Sequence, residues 1–211
     1  MEDNILKISH LKKRYHDESG ETLAIDDLNL EIKEKEIVAI VGPSGCGKST
    51  LLSILTGLEE KSEGNIIFKD NKKIGYMLQT DSLFPWRTIL DNCLLGLEIK
   101  GIKTKENIDK VKRLLKKYGL YEFIDKYPDN LSGGMKQRVA LIRTLAMNPD
   151  ILLLDEPYSA LDYQTRLAMS DDLFKIIKAE GKTAILITHD LAEAMFTKRV
   201  INFVLNKIIK F

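Results

Sequence analysis

Three short runs of residues carry the chemistry available to this chain. Gly42-Pro43-Ser44-Gly45-Cys46-Gly47-Lys48-Ser49-Thr50 fits the spacing G-x-x-x-x-G-K-[ST]. Its glycines let the backbone curl so that N–H groups point at phosphate oxygens, Lys48 supplies a point charge, and the Ser49 hydroxyl is a magnesium ligand. Cys46, inside the loop, reads as space-filling and not as a nucleophile. Ile151-Leu152-Leu153-Leu154-Asp155-Glu156 ends an apolar run with two carboxylates. At the carboxyl end of a parallel strand such groups face the crevice where open α/β sheets bind ligands. Asp155 suits magnesium coordination, directly or through water, and Glu156 could polarise a water for in-line attack on a γ-phosphate. By itself the pair also reads as a strand terminator. Leu131-Ser132-Gly133-Gly134-Met135-Lys136-Gln137-Arg138 sets a serine and two glycines at the start of a helix, where free N–H groups and the dipole make a second anion site.

The elements that must position these runs follow from periodicity. Ile37 to Val41 is a continuous apolar run, as in a parallel strand covered on both faces, and Ser49 to Leu58 has helical spacing ending at Gly57. Strand, glycine loop and helix therefore stand in the order the phosphate loop requires. Ile151 to Leu154 and Thr183 to Thr188 predict two more buried strands, separated by a helix over Tyr163 to Glu180, an α/β layered core. Ile5 to Ser9 and Leu23 to Ile32 predict short strands ahead of it. From about Pro85 to Met147 the pattern turns helical. Lys105 to Tyr118 sets Ile108, Val111, Leu115 and Tyr118 on one face, and a further helix is predicted over Met135 to Met147. The lysines of the stretch Lys103 to Lys117, interrupted by Glu106 and Asp109, read as a solvated face more than as a lipid contact.

Composition narrows the rest. The chain has 211 residues, 32 Lys+Arg against 31 Asp+Glu, and a net charge of +1. A chain of this length buries roughly 70% of its unfolded surface and needs no disulfide or structural metal to fold. The near-neutral balance argues against a protein held to nucleic acid or anionic lipid by bulk charge. Two cysteines, Cys46 and Cys93, make no disulfide framework and lack zinc-site spacing, which fits a reducing cytoplasm. The start Met1-Glu2-Asp3-Asn4 has no secretory pattern, and no apolar run reaches the roughly 18 to 20 residues of a membrane span, so the expectation is a soluble chain.

With the phosphate loop, the carboxylate pair and the LSGG run in this order, the sequence resembles the ATP-binding subunits of ABC transporters. Their signature LSGGQ stands here as LSGGM, departing at Met135 and keeping Ser132, Gly133 and Gly134. The resemblance runs from about Ile5 to Val200. It implies an α/β P-loop NTPase fold of the ABC ATPase type, with a RecA-like core, an N-terminal antiparallel β lobe and a helical insert. Within a single domain over 1–211, the core is expected at about 1–84 and 148–211 and the helical subdomain at about 85–147. The family's roles then carry over to matching positions. Tyr15 is the residue that stacks on adenine, although it also reads as a half-buried strand tyrosine. Gln79 reaches magnesium and the attacking water and joins the two lobes. Ser159-Ala160-Leu161-Asp162 is the loop that passes between subunits, and His189 is the switch histidine that contacts the γ-phosphate. His10 and His16 read as surface residues. ATP and Mg2+ are the implied cofactors, the metal being held at Ser49, Gln79 and Asp155. Two copies are expected to pair head to tail, each ATP lying between Gly42 to Thr50 of one and Ser132 to Gly134 of the other.

Directly after Gln79 come Phe84-Pro85-Trp86-Arg87-Thr88 and Asp91-Asn92. This FPWRT-x-x-DN run resembles importers of nitrate, sulfonate, taurine and related small substrates. It implies a peripheral subunit at the cytoplasmic face of the cell membrane, energising separate permease subunits and served indirectly by a substrate-binding protein. Phe84 and Trp86 either shape a groove for a permease helix or pack under the helical lobe. The rival readings are a non-transport membrane complex and an ABC ATPase of nucleic-acid maintenance; the short stretch between Ser49 and Ser132 leaves no room for the coiled-coil arms of chromosome proteins. After Val200 the chain ends at Phe211, earlier than typical members of the group, which places the last strand in question.

Overall fold

The computed structural model describes residues 4–17, 20–69, 71–159, 161–197, 199–204 and 207–209. Two 14-residue strands, β1 (Asn4–Asp17) and β2 (Gly20–Lys33), run antiparallel; β2 extends the expected Leu23 to Ile32 by a few residues at its start and one at its end, whereas β1 is far longer than the expected Ile5 to Ser9. Bulges explain the difference. Between Ile8 and Leu11 the register against β2 shifts, and His10 sits at φ 52, so the apolar alternation that announces a strand breaks while the pairing continues. The five residues of β3 (Ile37–Val41) are all buried, and the glycine loop leads from them into α1 (Lys48–Thr56), which stops at Gly57 in the left-handed region at φ 76.

Two strands between α1 and the helical stretch had no sequence forecast. β4 (Glu63–Phe68) is an edge strand, half-buried at every second residue, and completes a three-stranded sheet in the order β2-β1-β4. β5 (Ile74–Met77) has only four residues, too few for a period to show. The helical stretch then comprises α2 (Ile89–Ile99), α3 (Lys105–Lys117), two single 3-10 turns and α4 (Gly133–Ala146). α4 begins two residues before the expected Met135, because Ser132 caps it and the glycines form its first turn. β6 (Ile151–Asp155), α5 (Tyr163–Ala179), β7 (Thr183–Thr188) and the short α6 (Leu191–Ala194) follow, then β8 (Arg199–Val204) and β9 (Lys207–Ile209).

The larger sheet has the order β5-β6-β7-β3-β8-β9, parallel except for the last pair. The questioned terminal strand is thus in place: β8 pairs with β3 from Val38↔Arg199 to Val41↔Asn202. One face of this sheet shares a core with α1 and the small sheet, through Leu11, Ile25, Ile40, Leu51, Leu52 and Phe203. The other face buries Leu152, Leu154 and Leu186 against Leu141 of α4 and Phe174 of α5. The helices α2 to α4 hold a third apolar cluster of their own, including Ile89, Leu94, Leu115, Val139 and Ile142. At about 1.5–3 kcal/mol for each fully buried large aliphatic side chain, these layers supply the rigidity that the strand ends need to aim polar groups.

Candidate active site

The carboxyl ends of β3, β6 and β7 collect most of the residues singled out above. The loop from Gly42 to Gly47 curls around the Lys48 side chain, whose Nζ donates to the carbonyls of Gly42 and Pro43 at 2.8 Å each and lies 3.7 Å from Cys46 Sγ. An ammonium has three donors, and a thiol is a weak acceptor, so the third is the one that a phosphate oxygen can take. Lys48 is 5% exposed, which makes its charge effective at short range. Gly47, at φ 97, is the N-cap of α1 and gives it no side-chain cap, whereas α2, α3, α4 and α5 are capped by Thr88, Thr104, Ser132 and Asp162. The first N–H groups of α1 are therefore left for an anion. A Cβ on Gly47 would also meet Ala24 O at 2.2 Å, so glycine is required twice over. Pro43, Ser44 and Gly45 are exposed along the rim of the loop, Cys46 is buried inside it as the space-filling reading expected, and Thr50 is half-buried in the first turn.

Ser49 Oγ lies 3.3 Å from Asp155 Oδ1, joining the loop to the end of β6. These are hard oxygen donors of the kind Mg2+ accepts beside nucleotide phosphates, and the pair fits that ion. Asp155 Oδ2 accepts from the hydroxyl of Tyr76 at 3.2 Å. Burial pushes the Asp155 carboxyl above its usual range, and burial beside that carboxylate pushes Tyr76 up to about 12. Glu156, the next residue, adopts φ 42, a left-handed conformation that is strained for a residue with a side chain; its N–H donates to Ile187 O. This turn brings Glu156 Oε2 within 3.1 Å of His189 Nδ1, at the end of β7. Gln79, exposed just beyond β5, donates to Ser159 Oγ at 3.2 Å.

Two predicted pieces stand apart from this cluster. Ser132 accepts from Met135 N at 3.4 Å at the start of α4, and Gly133 and Gly134 face Leu161 and Met169, with no hydrogen bond to residues 42–50 among the described residues. Asp162 caps α5 by accepting from Thr165 N at 3.0 Å, which holds its carboxyl below the usual range. Ala160 lies outside the described residues. Tyr15 sits on β1 opposite Thr22, 36% exposed, with Lys13 Nζ 4.6 Å above its ring. His10 and His16 are exposed, as expected.

Sequence reasoning missed several contacts that hold the site. Tyr76 against Asp155 and Ser159 against Gln79 arise from the β5–β6 register and a loop crossing, for which spacing carries no signal. Arg143 of α4 donates to the carbonyls of Asp81 and Ser82 at 2.6 and 2.8 Å and so ties down the segment after Gln79. The FPWRT-x-x-DN run proves to be mostly architecture. Thr88 caps α2, Arg87 pairs with Glu98 at 3.0 Å, and the fully buried Asn92 accepts from Phe84 N and donates to the carbonyls of Phe84, Arg87 and Thr88. What this turn presents is Trp86, 70% exposed and 5.1 Å from the half-buried ring of Phe84.

A phosphate loop on a parallel sheet, with a carboxylate pair at the end of the next strand but one, defines a nucleotide-hydrolysing α/β protein. Comparison with known proteins sharpens this. The family model described as ABC transporter matches residues 25–159. An uncharacterized ABC transporter ATP-binding protein of Bacillus subtilis, YtlC, is 46% identical over 198 residues, covering 91% of this chain and 76% of that protein. The taurine import ATP-binding protein TauB of Escherichia coli K12 is 40% identical over 198 residues, with the same 91% and 76% coverage. Among solved structures, the dimeric post-hydrolysis state of the ATP-binding cassette MJ0796, bound to ADP and Pi, superposes with a TM-score of 0.81 at 35% identity over 97% of both chains. The chain belongs to the ABC transporter family, as an ATP-binding subunit with the ABC ATPase fold and ATP-hydrolase activity. No helix among the described residues is long and apolar enough to cross a membrane.

Proposed function

We propose that this subunit energises import of a small organic or inorganic anion of the nitrate, sulfonate or taurine type, through separate permease subunits at the cytoplasmic face of the membrane. A substrate-binding protein would deliver the anion. The observation that carries the reading is the continuity between Gln79 and Trp86. The glutamine beside the hydrolysis cluster and the exposed tryptophan are seven residues apart on a segment held by Arg143 and Asn92, a short route by which a change at the nucleotide would reach an exposed aromatic surface. Exposed aromatic anchors of this kind are where binding energy concentrates. The identity with the taurine import proteins supports the cargo class.

In this reading the chain is one domain, with a core at about 1–84 and 148–211 and a helical subdomain at about 85–147. Two copies close head to tail on ATP, the Gly42 to Thr50 loop of one facing Ser132 to Gly134 of the other, and Asp162 lies at the same seam. Tyr15 stacks on the adenine, and the N–H groups of residues 44–50 with Lys48 hold the β- and γ-phosphates. Ser49, Asp155 and Gln79 hold Mg2+, which neutralises charge on the phosphate oxygens when bound. Glu156 takes a proton from the water that attacks the γ-phosphorus as the bond to the β-phosphate oxygen breaks, and His189 contacts the γ-phosphate and holds Glu156 in place. Loss of the γ-phosphate then lets the pair open and releases the permease to its other state.

Light scattering tests the first step: Glu156→Gln protein should dimerise with Mg2+ and ATP, and Lys48→Ala should stay monomeric. With the cognate permease in vesicles, Trp86→Ala should lose about 30-fold in permease affinity, as for a hot-spot residue worth about 2 kcal/mol, and taurine, a sulfonate or nitrate should be taken up with ATP turnover. Unaltered permease binding by Trp86→Ala, or uptake of none of these anions, would refute the reading.

A further inference from the structure

The His189 ring is half exposed, and its Nδ1 lies 3.1 Å from Glu156 Oε2. Its aim therefore depends on the backbone either side of it, where an unusual buried network lies. Thr188 and Glu193 are 1% and 3% exposed. The Thr188 hydroxyl donates to Glu193 Oε2 at 2.5 Å and accepts from the N–H of Asp190 at 2.9 Å. One hydroxyl thus joins the residue before His189 to the residue after it, and the carboxylate of Glu193 fixes that hydroxyl's proton. Asp190 in turn accepts from Ala192 N at 2.8 Å and pairs with Arg166 at 3.4 Å, closing the turn against α6 and α5.

Glu193 is an expensive choice for this position. Burial raises its pKa; the Thr188 hydrogen bond offsets part of this, Asp190 adds to the cost, and Arg166 and His189 offset a little more. An apolar side chain of similar volume would avoid the desolvation of a carboxylate. Among the described residues, no group assigned to nucleotide chemistry has Glu193 as a direct contact, yet Thr188 and Asp190, which its network joins, flank His189 on either side.

We propose that Glu193 is a positioning residue for ATP hydrolysis: through the Thr188 hydroxyl it locks the turn that aims His189 at Glu156 and the γ-phosphate. The proposal rests on the reading of His189 as the γ-phosphate contact. Glu193 touches no nucleotide atom in this scheme, so its loss affects the chemical step and spares ground-state ATP binding. Misplacement of a catalytic group by about 1 Å costs up to about 100-fold in rate.

The test is a mutant cycle on the purified subunit, reading steady-state kcat and KM together with equilibrium binding of a fluorescent ATP analogue. Glu193→Ala should lower kcat by about 10- to 100-fold and leave nucleotide affinity within about twofold. Glu193→Gln, whose amide oxygen can still accept from Thr188, should keep most of the rate. Thr188→Val, close to isosteric, removes the same bond from the other side and should reproduce the kcat loss; it keeps the question open to test if Glu193→Ala fails to fold. In a His189→Ala background, Glu193→Ala should add no further loss. Independent, multiplying losses in that background, or a Gln variant as slow as the Ala variant, would overturn the proposal. If His189→Ala itself turns over at the wild-type rate, the reading of His189 fails and Glu193 falls with it, an outcome distinct from a slow His189→Ala beside an active Glu193→Ala and Thr188→Val.

Discussion

Phe203 gives the sharpest test of how the fold holds the phosphate loop. It lies in β8, fully buried, within the cluster that contains Leu11, Ile25 and Leu51. Its carbonyl runs so close beneath the loop that a Cβ on Gly42 would lie 2.1 Å from it, and a Cβ on Gly47 would lie 3.4 Å from its ring. Phe203→Ala removes the ring from a packed core and should cost about 3–5 kcal/mol, the transfer loss plus the cavity left behind. For a domain of this size each kcal/mol shifts the midpoint by about 2–4 °C, so Tm should fall by about 6–20 °C. Phe203→Leu keeps much of the volume and should cost less than about 1.5 kcal/mol. ATP at a hundred times its Kd stabilises by about 2.7 kcal/mol, which recovers half or more of the alanine loss only if the loop still binds with native affinity. Because the ring lies under Gly47, the loop should loosen and the ATP-induced rise in Tm should be smaller for Phe203→Ala than for wild type at equal ATP. Differential scanning fluorimetry with and without Mg2+ and ATP reads both quantities. A loss below about 1 kcal/mol for the alanine variant would show that β8 is peripheral and the argument from packing wrong.

Asp155→Asn should stabilise the nucleotide-free protein by about 0.5–2 kcal/mol, as relief of a functional-site cost usually does, while abolishing Mg2+-dependent turnover. The sign follows from linkage: burial raises the folded-state pKa above the ordinary 3.8, so the folded state holds the proton more tightly. Ionised Asp155 therefore costs stability at neutral pH, and the cost fades as pH falls through the folded pKa toward 3.8. Urea unfolding across that acid range should show this slope in wild type and a flatter profile in the variant; a less stable variant at pH 7 would contradict it. Tyr15→Ala should raise the Kd for ATP by about 5- to 150-fold, the value of one base–aromatic stack at about 1–3 kcal/mol, and Tyr15→Phe should bind normally. Equal titration curves for Tyr15→Ala and wild type would remove Tyr15 from the base site.

What the sequence disclosed about this molecule divides along a physical line. β3, β6 and β7 were legible because a strand buried on both faces must be apolar at every position, and each of these three is. The loop and the carboxylates were legible because phosphate and metal chemistry demands particular residue types at fixed local spacing. β1 was legible only over its first residues, since bulges at Ile8 to Leu11 break the period while hydrogen bonding continues. β5 was too short to carry a period, although it sets Tyr76 opposite Leu153 and so brings its hydroxyl to Asp155.

The same line explains why the supporting contacts were invisible. Arg143 reaches Asp81 and Ser82 across 61 or 62 residues of sequence, and Thr188 meets Glu193 because a four-residue helix folds back on the end of β7. A local motif states which groups do the chemistry; tertiary register decides where they point. Gln79 and His189 are both exposed side chains on short connections, and each is steadied by groups outside the phosphate loop, Ser159 with Arg143 for the one and Glu156 with the Thr188 turn for the other. In the proposed function, sensing the γ-phosphate would require side chains free enough to respond to its arrival and release, on backbones stiff enough to transmit the response. That combination corresponds to exposed tips on hydrogen-bonded roots, and it is at the roots, at Arg143, Asn92 and Glu193, that substitutions should uncouple hydrolysis from nucleotide binding.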